Sequence, residues 1–143
     1  MFVLTVFSML VAIPGCAGGG EGQVGPIDGT SSATSLEWDD LDAAVKFVAD
    51  RNELSIVDRM TVTIEGPDGA EQAIRRFVLI DVQDHPIEIR FSSDPGALAG
   101  LRGASASRAG AVVVRVGRFG DDQREAALVE ALLKRLDALA RID

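Results

Sequence analysis

The stretch "MTVTIEGPDGAEQAIRRFVLIDVQDHPIEIRF", residues 60–91, decides the fold. Residues 60–65 alternate, which places Met60, Val62 and Ile64 on one face of a strand. Gly66-Pro67-Asp68-Gly69 has turn chemistry: proline presets φ at the second position and glycine relieves the last. Residues 77–82, "FVLIDV", are apolar on both faces and read as a strand inside the sheet. Asp84-His85-Pro86 turns the chain into "IEIRF", residues 87–91. There Ile87, Ile89 and Phe91 point inward, and Glu88 and Arg90 point outward. Strands joined by such short turns pair antiparallel.

Toward the C-terminus, residues 92–110 read as a loop with one short helix, opened by Asp94-Pro95. Residues 111–119, "AVVVRVGRF", read as a fourth strand. Asp122 and Glu125 have N-cap and N3 spacing at the head of a last helix. Leu128, Val129, Leu132, Leu136 and Leu139 form its apolar stripe, and Glu130/Lys134 and Asp137/Arg141 stand four apart on its surface.

Toward the N-terminus, Thr34 and Glu37 have capping-box spacing before a first helix over residues 36–49. Its stripe is Trp38, Leu41, Val45 and Val48. Before it, Gly- and Ser-rich residues 17–34 show no apolar periodicity and read as a flexible linker, with a reach of about 23 Å. The order expected is α-β-β-β-(short α)-β-α. It implies an α+β, two-layer sandwich: a four-stranded, mostly antiparallel sheet with two amphipathic helices on one face. The division expected is residues 1–15, then 16–34, then a single domain over 35–143.

The chain's only cysteine, Cys16, follows an uncharged apolar run over residues 2–13. As a helix that run spans about 18 Å, short of the ~30 Å hydrocarbon core and matched to a signal-peptide h-region. Pro14-Gly15 breaks it. The sequence Ile13-Pro14-Gly15-Cys16 resembles the lipobox of bacterial lipoprotein precursors. That resemblance covers residues 1–16 only. It implies cleavage before Cys16, a diacylglycerol on its thiol and attachment to a membrane of the cell envelope. The competing readings are an ordinary signal peptide cut after Ala17, giving a secreted or periplasmic protein, and an attached helix that packs.

A formal net charge of −8 and a single tryptophan with no tyrosine argue against nucleic acid as a partner. One cysteine excludes an internal disulfide. No motif implies a cofactor.

Three groups are candidates for chemistry. Asp81, Asp84 and His85 are the only carboxylates beside the only histidine, a set that suits a metal, yet no second histidine and no nearby cysteine completes a zinc site. The structural alternative is a turn whose aspartate bonds its own backbone. Ser105 and Ser107 lack the strand-turn-helix context of a nucleophile elbow. Asp39, Asp40 and Asp42 lack the glycine and later glutamate of a calcium loop, and acids at a helix start complement its dipole. Finally, Arg102, Arg108, Arg115 and Arg118 make residues 95–120 basic, facing ten acids over residues 36–72. They either dock an acidic partner or pair with the first helix.

Two functions follow. One is a membrane-tethered, non-enzymatic envelope domain that binds an envelope protein or assists assembly. The other is a small hydrolase or metal-dependent enzyme centred on Asp81, Asp84 and His85.

Overall fold

A computed structural model describes residues 27–65, 68–93 and 108–142. It is an α+β fold with five strands and two helices: β1 (Thr30–Leu36), α1 (Leu41–Arg51), β2 (Ser55–Glu65), β3 (Glu71–Ile80), β4 (Pro86–Ser93), β5 (Arg108–Val116) and α2 (Asp122–Ala140). The strands form one open antiparallel sheet in the order β1-β5-β4-β3-β2. The last four strands are a meander. The chain therefore enters at one edge with β1, and α1 carries it to the opposite edge, where β2 begins.

The fifth strand corrects the sequence expectation. Residues 30–34 are not linker, and the first helix does not begin at Leu36. Thr30 to Leu36 pair residue by residue with Val114 to Arg108. The strand carries Thr30, Ser32 and Thr34 toward the helices and so shows no apolar alternation. Its pairing puts Thr34 inside a strand, where it caps nothing. The helix starts after a turn at residues 37–40, in which the Asp40 N–H donates to the Glu37 carbonyl at 3.1 Å. The expected short helix at 95–101 and the Gly66-Pro67 half of the first hairpin turn lie outside the described residues.

One cross-sheet row runs Thr30–Val114–Ile89–Phe77–Arg59. Its three middle side chains are buried and its ends are polar, so the core lies over the three inner strands. Ile87, Ile89 and Phe91 of β4 are fully buried, as their alternation requires. Phe77 and Phe91 meet edge to face, centroids 6.1 Å apart and planes at 89°, a geometry worth about 1 kcal/mol beyond area burial. Leu41, Ala44, Val45, Val48 and Ala49 of α1 close the core, with Leu128, Val129, Leu132 and Leu136 of α2. Met60, Val62 and Ile64 do share a face, but it is the one away from the helices, opposite Arg76, Ile74 and Gln72 of β3. The edge strand β2 thus presents Arg59, Thr61 and Thr63 on the helix side.

The end of α1 is fixed by its backbone. Asn52 N–H donates to the carbonyls of Val48 and Ala49, and Leu54 N–H reaches Ala49 at 3.0 Å. Glu53 takes φ +56° to make that closure, a position usually held by glycine. Leu54 then buries itself against the core.

Candidate functional site

Among the described residues, three polar assemblies and a cleft between the two helices bear on the candidate chemistry. The first is the 81–85 turn. Asp81 is the first residue after β3, and its carboxylate accepts the N–H groups of Gln83 and His85, each at 2.9 Å. Arg124 from α2 donates to it at 2.8 Å, and His85 Nδ1 lies 3.3 Å away. The Arg124 hydrogen bond, then the His85 and Gln83 amides and the nearby imidazole, hold the Asp81 carboxyl far below the usual carboxylate range, against its burial. Asp81 is buried, whereas Val82 to His85 are exposed, and Asp84 turns the backbone at φ +61°. The structure brings the Asp81 and His85 side chains together, while Asp84 joins only through its backbone N–H, which donates to the Asp81 carbonyl at 3.0 Å. Among the described residues no three His, Cys, Asp or Glu side chains are grouped to hold a metal. The turn is a backbone-binding aspartate that also ties β3 to α2.

The second assembly is Glu125, which sequence spacing placed at N3 of a helix capped by Asp122. The cap is Asp121, whose side chain accepts the Arg124 N–H at 3.0 Å. Glu125 is 1% exposed and accepts four donors: the N–H groups of Val116 (2.9 Å), Asp121 (3.1 Å) and Thr30 (3.0 Å), and the Thr30 hydroxyl (3.2 Å). Burial pushes its carboxyl up, and the four donors together outweigh that, so the group titrates below the ordinary glutamate range.

The third assembly sits on α1's first turn. Asp42 accepts Arg75 at 2.9 Å and also Arg59, while Arg75 covers the Trp38 ring at 5.2 Å and donates to the Trp38 carbonyl at 2.7 Å. Of the acids at the start of the first helix, Asp42 is thus paired with arginines of β2 and β3. Of the arginines singled out from residues 95–120, Arg115 and Arg118 do other work. Arg115 donates to the backbone carbonyls of Asp28 and Arg118, and Arg118 lies 5.7 Å from the ring of exposed Phe119. Arg108 opens β5 opposite Leu36. Cys16, Arg102, Ser105, Ser107 and the Arg108 side chain lie outside the described residues.

The cleft lies between α1 and α2 on their outer side and encloses about 400 Å³. Phe47, Val48, Ala127, Ala131 and Ala138 make an apolar lining. Arg51, Lys134 and Arg135 stand around it with Glu130. The guanidinium carbons of Arg51 and Arg135 lie 4.7 Å and 4.5 Å from the centre of the same Phe47 ring. Asn52 also borders the cleft, with its amide bonded to the Val48 carbonyl at 2.8 Å. Of the two pairs expected on α2, Asp137–Arg141 forms at 2.7 Å, while Glu130 and Lys134 are not ion-paired with each other.

The sequence reading missed this site. Phe47 and Arg51 stand four apart on α1, off the apolar stripe, and Ala127, Ala131 and Ala138 flank the leucine stripe of α2. That flank was the available signal, but only packing of α1 on α2 joins the two halves. No family model, curated protein or solved structure matches the chain.

Proposed function

We propose that this chain is a small lipid-tethered domain of the bacterial cell envelope with a binding or assembly role. The observation that carries it is Ile13-Pro14-Gly15-Cys16 behind an uncharged apolar run. The β1 start at Thr30 leaves thirteen residues, 17–29, between Cys16 and the first strand, a length that suits a tether. A cleft with an apolar lining and a basic rim offers a surface for binding. The alternative, an enzyme centred on Asp81, Asp84 and His85, loses support because Asp81 is already bonded to two amides and Arg124.

The test is mass spectrometry of the mature N-terminus from isolated membranes. The expected species begins at Cys16 with a diacylglycerol on sulfur, and Cys16→Ala releases the protein from the membrane fraction. An unlipidated chain beginning at Gly18 would overturn the proposal.

A further inference from the structure

We propose that the α1–α2 cleft binds a single-chain anionic amphiphile, a molecule joining a hydrocarbon tail to a carboxylate. The inference goes beyond the tether and does not depend on it.

Charge placement carries it. The chain has a net charge of −8, so carboxylates are abundant. Several of those on the two helices already have cations of their own: Asp42 pairs with Arg59 and Arg75, Asp50 with Lys46, and Asp137 with Arg141. Arg51, Lys134 and Arg135 line the cleft and none forms an ion pair among the described residues. Arg51 and Arg135 share one ring, which keeps their charges within about 9 Å of each other. Arg135 Nε is buried without a hydrogen-bond acceptor. Holding two like charges this close, one with an orphaned donor, costs free energy that an anion would recover. Glu130 is the single carboxylate in the lining and leaves an excess of positive charge there.

The lining fixes the rest of the ligand. Phe47, Val48 and the three alanine methyls offer hydrocarbon contact beside the cations. Inorganic anions would leave that surface wet. A volume of about 400 Å³ falls at the lower end of small-molecule sites (~300–1,000 Å³) and suits a medium-length chain.

The experiment is calorimetric titration of the full chain carrying Cys16→Ser, so that no attached lipid competes. The probes are decanoate below its micelle concentration, decyltrimethylammonium and acetate. Decanoate is expected to bind saturably at one per chain, at least tenfold more tightly than either control. The Arg51→Gln/Arg135→Gln pair is expected to weaken it tenfold or more. Ala131→Leu, which fills the floor and leaves every charge in place, is expected to weaken it similarly at unchanged melting temperature. Absence of saturable decanoate binding would overturn the proposal, as would equal uptake of decyltrimethylammonium. So would unchanged affinity in both variants, or association only with phosphatidylglycerol vesicles. Self-association without amphiphile that Arg135→Gln abolishes would assign the cleft to a second copy and overturn it too.

Discussion

The buried carboxylate of Glu125 accepts the backbone N–H of Val116 at 2.9 Å, so one side chain joins the end of β5 to the first turn of α2. The same carboxylate takes both donors of Thr30 on β1. It is acceptor-only, which is what four convergent donors need. In Glu125→Gln the amide nitrogen must face one pair of those donors. The expected cost is about 2 kcal/mol of unfolding free energy, from buried donors left without acceptors. Urea unfolding of the variant checks this, and a loss under about 0.5 kcal/mol would show that the carboxylate does not hold the three elements together.

Acid should loosen the fold from the same places. Asp81 and Glu125 both titrate lower in the folded chain than when unfolded. A depressed carboxyl contributes stability above its unfolded value and loses it as pH falls toward the folded value. Stability is therefore expected to be flat above about pH 5 and to fall steadily below about pH 4. Arg124→Ala, which removes the largest cause of the Asp81 depression, should make that fall shallower. Urea midpoints measured from pH 6 to pH 2.5 test the slope, and parallel curves for parent and variant would contradict the assignment.

How much of this was written in the sequence depends on what each element uses for its stability. The meander β2–β5 and the stripe of α2 were legible because alternation and 3.6-residue periodicity report burial on one face. Ile87, Ile89 and Phe91 behaved as expected. β1 was not legible, since an edge strand of Thr and Ser carries no apolar rhythm and is held by backbone pairing with β5. Met60, Val62 and Ile64 gave a true alternation whose direction only the register with β3 decides. For the sites, the turn chemistry of Asp81 was foreseen as one alternative, but its bond to Arg124, 43 residues away, was not. Nor was the cleft, whose cations come from two helices far apart in the chain.

Glu53 is strained in a way that can be relieved. Its φ of +56° closes α1 where glycine is the common residue. It is exposed, and the closure runs through backbone groups alone. Glu53→Gly is expected to stabilise the fold by about 0.5–1 kcal/mol, the relief of the left-handed strain less the entropy glycine adds to the unfolded chain. A raised urea midpoint with unchanged slope is the expected result, and a lowered midpoint would mean that Glu53 makes a contact of its own.

Gly29 should tolerate no side chain. A Cβ there would fall 2.2 Å from the carbonyl oxygen of Val114, a backbone atom of β5 that cannot swing aside. Gly29→Ala must therefore push the start of β1 off the sheet edge and draw Thr30 away from Glu125. The expected cost is about 1–3 kcal/mol, that of forcing atoms into a filled space. Hydrogen exchange gives the sharper readout: amides of β1 should lose protection while those of β3 and β4 keep theirs.

Asp81 and His85 are expected to separate cleanly when replaced. His85 is largely exposed, with 58% of its side chain accessible, and its ring meets Asp81 at a long 3.3 Å. His85→Ala should change stability by no more than about 0.5 kcal/mol, as exposed substitutions do. Asp81→Ala removes the acceptor of two turn amides and leaves Arg124 without its carboxylate, so about 2–3 kcal/mol is expected. Zinc added to the parent chain should leave the melting temperature unchanged, because a ligand bound only to the folded state must raise it. A rise that both His85→Ala and Asp84→Ala abolish would restore the metal site and would reassign Asp81 from backbone clasp to ligand.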